Sequence, residues 1–132
     1  FLSNCIAKEL IERRYSVVYE RAGDMFRSMS RAEFSRLPSP EDESLEDRIN
    51  SCDLFILDDL GTEFATEYTR GRLFSIISNR LSRELSTIIT TNMSMSQLKS
   101  QYGERVSSRF IGEYMLIPFY GRDLRTVISK EV

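Results

Sequence analysis

Apolar and polar residues alternate along the chain in blocks that predict helices and strands in turn. Leu2, Ile6 and Leu10 recur at helical spacing and predict an opening amphipathic helix. The β-branched and aromatic run over 16–20 (SVVYE) predicts a short strand, and a helix is expected to follow around 24–30. The chain therefore begins with a helix, a strand and a second helix.

The middle of the chain contains the strongest strand and helix patterns. A short helix is expected over 45–50, and the apolar run over 53–57 (DLFIL) is typical of a parallel strand that is covered on both faces. The clearest helix is predicted over 66–84, with one apolar stripe. The stripe consists of Leu73, Ile76, Ile77 and Leu81. The outward face of this helix is expected to carry Arg70, Arg72, Arg80 and Arg83.

The last third of the chain continues the alternation. The run over 86–91 (STIITT) predicts another buried strand, and 103–111 reads as a helix on which Arg105 and Arg109 share a face. Residues 115–119 are a further strand candidate. Strands that alternate with helices predict an α/β fold with a mostly parallel sheet, and we expect residues 1–132 to form a single domain.

The composition excludes some kinds of catalytic chemistry but says little about binding partners. Eighteen basic and twenty acidic side chains give a net charge of −2, so no global positive field favours nucleic acid. The absence of histidine excludes histidine-based catalysis and the common zinc sites within this chain. We expect Cys5 and Cys52 to be buried, reduced thiols, which suggests a cytoplasmic protein. No apolar run approaches the roughly 20 residues of a membrane span, so no membrane association is expected.

Polar side chains follow two of the predicted strands. Asp58 and Asp59 come directly after LFIL, and Asn92 follows STIITT. Because ligands of open parallel sheets bind beyond the carboxyl ends of the strands, adjacent carboxylates there fit a Walker B motif that holds Mg²⁺. The plainer alternative is that the two aspartates start a turn before Gly61 and that Asn92 is a turn former.

The arginines of GERVSSRF, Arg105 and Arg109, also have two interpretations. They are either solvated helix arginines or cations that reach the γ-phosphate held by a neighbouring subunit. Arg125, in GRDLR, is a further cationic candidate for nucleotide contact.

Taken together, four motifs resemble one family. DLFILDDLGTEF, TIITTN, GERVSSRF and FYGRDLR occur in the order and spacing of the DnaC/DnaI helicase loaders and the related IstB transposition ATPases, a branch of the AAA+ proteins. The similarity covers essentially the whole chain, and the opening residues look like the helix that follows that family's phosphate loop. The resemblance implies an α/β P-loop NTPase of the AAA+ type, with a three-layer parallel sheet and flanking helices, lacking the first strand and the phosphate loop.

The resemblance also implies a role for each candidate residue. Asp58 would be the Mg²⁺ carboxylate, Asp59 the catalytic acid that orients water, and Asn92 the sensor 1 residue that contacts the γ-phosphate or the attacking water. Arg109 would be the arginine finger, Arg105 a second interface candidate, and Arg125 the sensor 2 residue. The implied cofactors are ATP/ADP and Mg²⁺. Most AAA+ proteins have Glu where Asp59 stands, and the shorter side chain leaves the hydrolysis rate open.

The implied partners are a replicative helicase, single-stranded DNA, and further copies of the chain that meet through the arginine finger. In the family, the segment after the second strand contacts single-stranded DNA or an initiator, and here it spans about 22–36. The candidate contacts, in which charge alternates with stacking surface, are Arg27, Arg31, Phe34 and Arg36. Packing of Phe26 and Phe34 beside solvated arginines is the alternative.

The leading functional interpretation is an ATP-dependent DNA replication protein, a helicase loader of the DnaC/DnaI type. An IstB-like transposition helper ATPase shares every motif, and a non-hydrolysing, degenerate AAA+ interaction module is a third interpretation. A receiver-like domain with an acidic pocket is a further alternative, but such a fold gives no role to the arginines of GERVSSRF.

No GxxxxGK[ST] motif occurs in the chain. We expect Phe1 to lie about where the residue after that motif stands in a longer parent, and the parent to be the ATPase. The chain alone is expected to bind ATP poorly, and loss of the central first strand is expected to leave a slot in the sheet that promotes association.

Overall fold

A computed structural model describes residues 1–35 and 44–121 of the protein. Helices and strands alternate through most of this part of the chain, as the sequence pattern predicts. In chain order, the elements are α1 (Leu2–Glu12), β1 (Val17–Arg21), α2 (Ala22–Phe34), α3 (Leu45–Ser51), β2 (Leu54–Leu60), α4 (Glu67–Ser82), β3 (Ser86–Thr91), α5 (Met95–Tyr102) and α6 (Glu104–Glu113).

The three strands form one parallel sheet in the order β1-β2-β3. The register pairs Val17 with Leu54 and Ile56 with Ile88. The expected α/β fold with a parallel sheet is therefore confirmed. β3 has the predicted bounds, whereas β2 runs three residues further than predicted because the two aspartates after the apolar run still belong to the strand.

Helices cover both faces of the sheet. On one face, α1 packs over a small cluster formed by Ala7, Leu54 and Ile56. On the other face, residues from β1, β2 and the remaining helices form the larger core, which includes Phe55, Leu57, Leu60, Leu73, Ile76, Ile77, Leu98, Tyr102, Val106 and Phe110. Burial of alternate residues on opposite faces explains why β2 is almost continuously apolar.

Local hydrogen bonds fix the starts of the helices near the carboxyl edge of the sheet. At α4, the backbone N–H of Thr69 donates to Thr66 Oγ1 at 3.2 Å, and Thr66 N–H donates to Thr69 Oγ1 at 2.8 Å. At α5, Ser94 and Gln97 form the same reciprocal arrangement. Each cap of this kind contributes about 0.5–2 kcal/mol and fixes where the preceding loop ends.

Helix α1 turns a different face to the sheet from the one that its sequence pattern suggests. Ser3 and Ala7 are the buried residues, Leu10 is half-buried, and Leu2 and Ile6 are exposed. The small side chain of Ala7 lets the helix approach the sheet closely over Ile56, which favours this face over the apolar stripe.

Arg80 contradicts the prediction of a solvent-facing arginine on α4. Its side chain is fully buried, and its guanidinium donates to Thr87 Oγ1 at 2.9 Å, to the Cys52 carbonyl at 3.1 Å, to the Ser86 carbonyl at 2.6 Å and to the Ile49 carbonyl. Burial lowers the pKa of Arg80. A planar fork with five donors matches these acceptors, so Arg80 ties α3 to the beginnings of β2 and β3.

Two further expectations are wrong. Residues 115–119 form no strand, and Met115, Leu116, Ile117 and Phe119 are all exposed. A strand requires a neighbouring strand to pair with, and the described residues provide none for this segment. Cys5 is exposed on α1, whereas Cys52 is buried as expected; both are free thiols. Within the described ranges, no helix combines the length and the hydropathy needed to cross a membrane.

A candidate nucleotide site at the carboxyl edge of the sheet

A bulge near the end of β2 sets the geometry of the two aspartates. Leu57 pairs with Ile89, but the next pair is Leu60 with Thr91, so Asp58 and Asp59 together lie opposite Thr90. Asp59 adopts a left-handed backbone with φ of 56°, which is uncommon for a residue other than glycine. Bulges at sheet edges redirect side chains, and this one redirects the two carboxylates at the edge where ligands of parallel sheets bind.

The hydroxyl of Thr90 contacts both aspartates. Thr90 Oγ1 donates to Asp58 Oδ1 at 2.7 Å and accepts a hydrogen bond from the backbone N–H of Asp59 at 2.9 Å. Because residues 58 and 90 lie on the same face of neighbouring strands, one hydroxyl connects the strand ends. The pattern of polar residues after apolar strands points to both aspartates but not to Thr90, which lies within β3.

Arg21 is a second residue that the sequence analysis missed. It pairs in register with Asp58 at the end of β1, and its Nη2 lies 3.2 Å from Asp59 Oδ2. The Arg21 side chain is 66% exposed and that of Asp59 is 38% exposed, so the ion pair contributes at most about 1 kcal/mol. The signal was visible in the sequence, since Arg21 is a polar residue at the carboxyl end of a predicted strand, as Asp58 is.

Tyr19 lies on the same face of the sheet as Asp58. Burial and, secondarily, the Asp58 carboxylate raise the pKa of the Tyr19 hydroxyl. The hydrogen bond that orients the Asp58 carboxylate comes from Thr90, on β3.

The loop after the aspartates is fixed by Glu63. The backbone N–H of Gly61 donates to Glu63 Oε2 at 3.2 Å, the hydroxyl of Tyr102 donates to Glu63 Oε1, and Gln101 Nε2 donates to the Glu63 carbonyl at 3.1 Å. Gly61 has φ of +107°, a backbone conformation that strains any residue with a side chain, and a Cβ there would also press against the Met93 side chain. Glycine is therefore required, and the loop is tied to the end of α5.

Asn92 lies where the sequence analysis expects it, directly after β3 and beside the end of β2. Its side chain is exposed and makes no hydrogen bond to the part of the chain that the structure describes. Asp58, Asp59 and Asn92 thus share one edge of the sheet, on neighbouring strand ends.

Arg105 and Arg109 gather around one aromatic ring. The guanidinium carbon of Arg105 lies 4.2 Å from the centroid of the Phe74 ring on α4, and that of Arg109 lies 6.0 Å from it. Both arginines are exposed and form no ion pair with residues 1–35 or 44–121. Stacking on a ring orients a guanidinium without neutralising it, so both charges are available to an external anion.

The proposed DNA segment divides into buried and exposed parts. Phe26 is buried in the core, as the packing alternative predicts, whereas Phe34 is 79% exposed. Arg27 lies 3.6 Å from Asp24, one helical turn away, and Arg31 is exposed at the end of α2. The remaining candidate of this segment, Arg36, and the sensor 2 candidate Arg125 lie outside the described residues.

The two aspartates at the sheet edge suit a Mg²⁺ ion whose other ligands are water and substrate phosphates. Within the described residues, no group of three or more His, Cys, Asp or Glu side chains surrounds a metal position. Two carboxylates without further protein ligands suit Mg²⁺, which retains water molecules and is completed by substrate phosphates. They do not suit a cation that needs a cage made only of protein groups.

The parallel sheet with flanking helices is the fold expected for the AAA+ class, and solved structures share this fold. The chain superimposes on the DnaC helicase loader with a TM-score of 0.61 at 25% identity, covering 76% of this chain and 58% of that one. It superimposes on AMPPCP-bound DnaA from Aquifex aeolicus with a TM-score of 0.68 at 24% identity, covering 94% of this chain and 38% of that one. The second likeness is one of fold alone.

The chain belongs to the family of IstB-like ATP binding proteins, whose profile matches residues 1–113. It is 28% identical to the replicative helicase loader DnaC of Escherichia coli K12 over an alignment of 132 positions, which covers 98% of this chain and 53% of the relative. The replicative helicase loader DnaC of Buchnera aphidicola from Acyrthosiphon pisum is 27% identical over 119 residues, covering 89% and 48%. The chain thus spans about half the length of the curated relatives that it matches.

Proposed function

We propose that this chain supplies the hydrolytic side of an ATP site in an ATP-dependent DNA replication protein of the helicase loader kind. The observation that supports this most directly is that Asp58 and Asp59 lie near the end of β2 while Asn92 directly follows β3, the parallel strand paired with it. Membership of an ATP-binding family supports the choice of nucleotide. We also propose that residues 1–132 form a single AAA+ core domain and that the protein is cytoplasmic.

Each residue at the edge has a distinct task in the proposed site. Asp58 would hold Mg²⁺, which when bound neutralises charge on the phosphates of ATP or ADP. Asp59 would accept a hydrogen bond from the attacking water and so orient it. Asn92, whose side chain is exposed after the neighbouring strand, would contact the γ-phosphate or the same water. Arg21 pairs with Asp59 and would have to release it when the site engages nucleotide.

The two stacked arginines supply the positive charge in this proposal. Arg109 would act as an arginine finger toward the γ-phosphate of a neighbouring subunit, with Arg105 as a second interface cation. A cation placed there stabilises the charge of the transition state, by as much as about 10³–10⁵-fold in other phosphoryl-transfer proteins. Their exposure and their lack of ion pairs in the described residues favour an intermolecular role. The proposal therefore includes a homo-oligomer, and Arg125 as sensor 2.

Complementation between two inactive variants tests this arrangement. In the full-length gene product, Asp59→Asn impairs the receiving site, and Arg109→Ala impairs the donated finger. If the finger acts in trans, a mixture of the two variants should regain part of the ATPase activity, because some interfaces combine an intact acid with an intact arginine. A mixture that stays as inactive as each variant alone would argue against a finger in trans.

The relatives supply the partner side of the proposal. Because curated relatives over 98% of this chain are replicative helicase loaders, we propose a replicative helicase as the principal partner and single-stranded DNA as a second. Arg31 and Phe34, both exposed at the end of α2, are the DNA contacts that we retain, together with Arg27 and Arg36. Loss of single-stranded DNA binding in an Arg31→Ala, Phe34→Ala double variant, with helicase binding kept, is the expected result.

A transposition helper ATPase is the second candidate function, because the matching family is described as IstB-like. Copurification separates the two candidates: a loader should bind the replicative helicase of its host in the presence of ATP, and a helper should bind a transposase instead. A full-length product that binds no nucleotide would instead favour the third interpretation, an interaction module without hydrolysis.

A further inference from the structure

One hydroxyl group contacts both aspartates of the candidate site, the carboxylate of Asp58 and the backbone of Asp59. The bulge places Asp58 and Asp59 opposite the single residue Thr90, so the backbone N–H of Asp59 has lost its place in the regular ladder. Thr90 Oγ1 takes the bond from that N–H at 2.9 Å. The side chain thus substitutes for the missing backbone acceptor and stabilises the left-handed conformation of Asp59, with φ of 56°.

The two partners fix the direction of the Thr90 proton, because a backbone N–H can only donate and a carboxylate can only accept. A threonine hydroxyl has one proton to donate, and here its oxygen already accepts from Asp59 N–H. Its proton is therefore directed to Asp58 Oδ1, 2.7 Å away. This charge-assisted hydrogen bond holds the Asp58 carboxylate in one orientation relative to Asp59.

We propose that Thr90 is a positioning residue of the ATP site: it holds the β2 bulge and orients Asp58 for Mg²⁺ without itself contacting nucleotide. This inference rests on the proposed function. Partners that orient a metal ligand typically change metal affinity by about 10–100-fold when they are removed. Thr90 lies on β3 and Asp58 on β2, so the orientation of Asp58 also depends on how these two strands are placed relative to each other.

Three variants of the full-length gene product test the role. Thr90→Val keeps the shape and removes the hydroxyl, whereas Thr90→Ser keeps the hydroxyl. Thr91→Val is the matched control: the Thr91 hydroxyl also makes two hydrogen bonds, donating to the Leu60 carbonyl at 2.6 Å and accepting from Met93 N–H at 3.1 Å, but it contacts neither carboxylate. Any general weakening of β3 should therefore appear in Thr91→Val as well.

The first readout is the Mg²⁺ concentration that gives half-maximal binding of a fluorescent ATP analogue. Thr90→Val should raise it by about 10-fold or more, while Thr90→Ser and Thr91→Val stay near the wild-type value. The second readout is independent of nucleotide. Amide hydrogen exchange at Asp59 should become faster in Thr90→Val and stay near the wild-type rate in Thr90→Ser.

The outcomes separate this proposal from the proposed function. Asp58→Asn, measured in parallel, should remove the Mg²⁺ dependence if the site is correct. If Asp58→Asn does so but Thr90→Val behaves as wild type, or if Thr90→Ser is as defective as Thr90→Val, the positioning role is wrong and the ATP site stands. If Asp58→Asn leaves the Mg²⁺ dependence unchanged, the proposed function fails and the role of Thr90 fails with it.

Discussion

Replacing the buried Arg80 is expected to destabilise the protein strongly. We choose Arg80→Met because methionine has a similar length and no charge. The substitution removes donors to the carbonyls of Ile49, Cys52 and Ser86 and to Thr87 Oγ1; the first two bonds are buried and the last two are half-buried. The carbonyls would then be left without the partner that holds the beginnings of β2 and β3 together.

The magnitude follows from the hydrogen bonds. Three carbonyl bonds from a charged donor are worth about 1.5–3 kcal/mol each, or about 4.5–9 kcal/mol in total. Removing the guanidinium also removes the cost of its own burial, since Arg80 is 0% exposed. A net loss of about 3–5 kcal/mol in the free energy of unfolding is therefore expected.

Urea unfolding of the full-length gene product, followed by far-ultraviolet circular dichroism, measures the loss. Arg83→Met is the control, because Arg83 is exposed on the same helix end and makes one bond, to the Asn50 carbonyl at 2.7 Å. We expect a change of less than about 1 kcal/mol for this control. If Arg80→Met unfolds at the wild-type urea concentration, the idea that Arg80 holds the strand beginnings is refuted.

Three further predictions concern other contacts. Phe74→Leu removes the ring beneath both GERVSSRF arginines and should lower oligomer-dependent ATPase activity by about 2–5-fold without changing nucleotide affinity; an unchanged rate would contradict the stacking role. Tyr102→Phe should cost about 1.5–3 kcal/mol of stability in a thermal melt, since it removes the hydroxyl that donates to Glu63. Hydrogen bonds from Ser16 hold the pKa of Asp53 below its ordinary value of 3.8. The stability that this carboxylate contributes is therefore present above about pH 4 and is lost as the pH falls through the lowered pKa. Asp53→Asn should reduce the loss of stability at acid pH, and an unchanged pH dependence of unfolding would refute the assignment.

The periodic elements were predictable because their patterns are local. The bounds of β3 agree with the prediction, and the apolar run before Asp58 identified the central strand. The position of the candidate site followed from one rule, that polar residues after parallel strands share an edge. Asp58, Asp59 and Asn92 were found in this way, and consistent use of the same rule would also have found Arg21.

The tertiary details were not predictable from local patterns. The β2 bulge is a register change of one residue against β3. Because it depends on how the two strands pair, the sequence around Asp59 does not indicate the role of Thr90. Arg80 was assigned to solvent because arginine is rarely buried, although it lies four residues after Ile76 and three after Ile77, on the buried stripe. Its acceptors come from strand beginnings and α3, which only the fold brings together.

The most direct test of the central claim is Mg²⁺-dependent binding of a fluorescent ATP analogue to the full-length gene product, compared with Asp58→Asn. The substitution keeps the size of the side chain and removes the charge that would hold the cation. The account predicts that Mg²⁺ tightens binding by the wild-type protein and that Asp58→Asn loses this effect while it still unfolds cooperatively. A folded wild-type product that binds no ATP analogue, or an Asp58→Asn variant with undiminished Mg²⁺ dependence, would contradict an ATP site at this edge of the sheet.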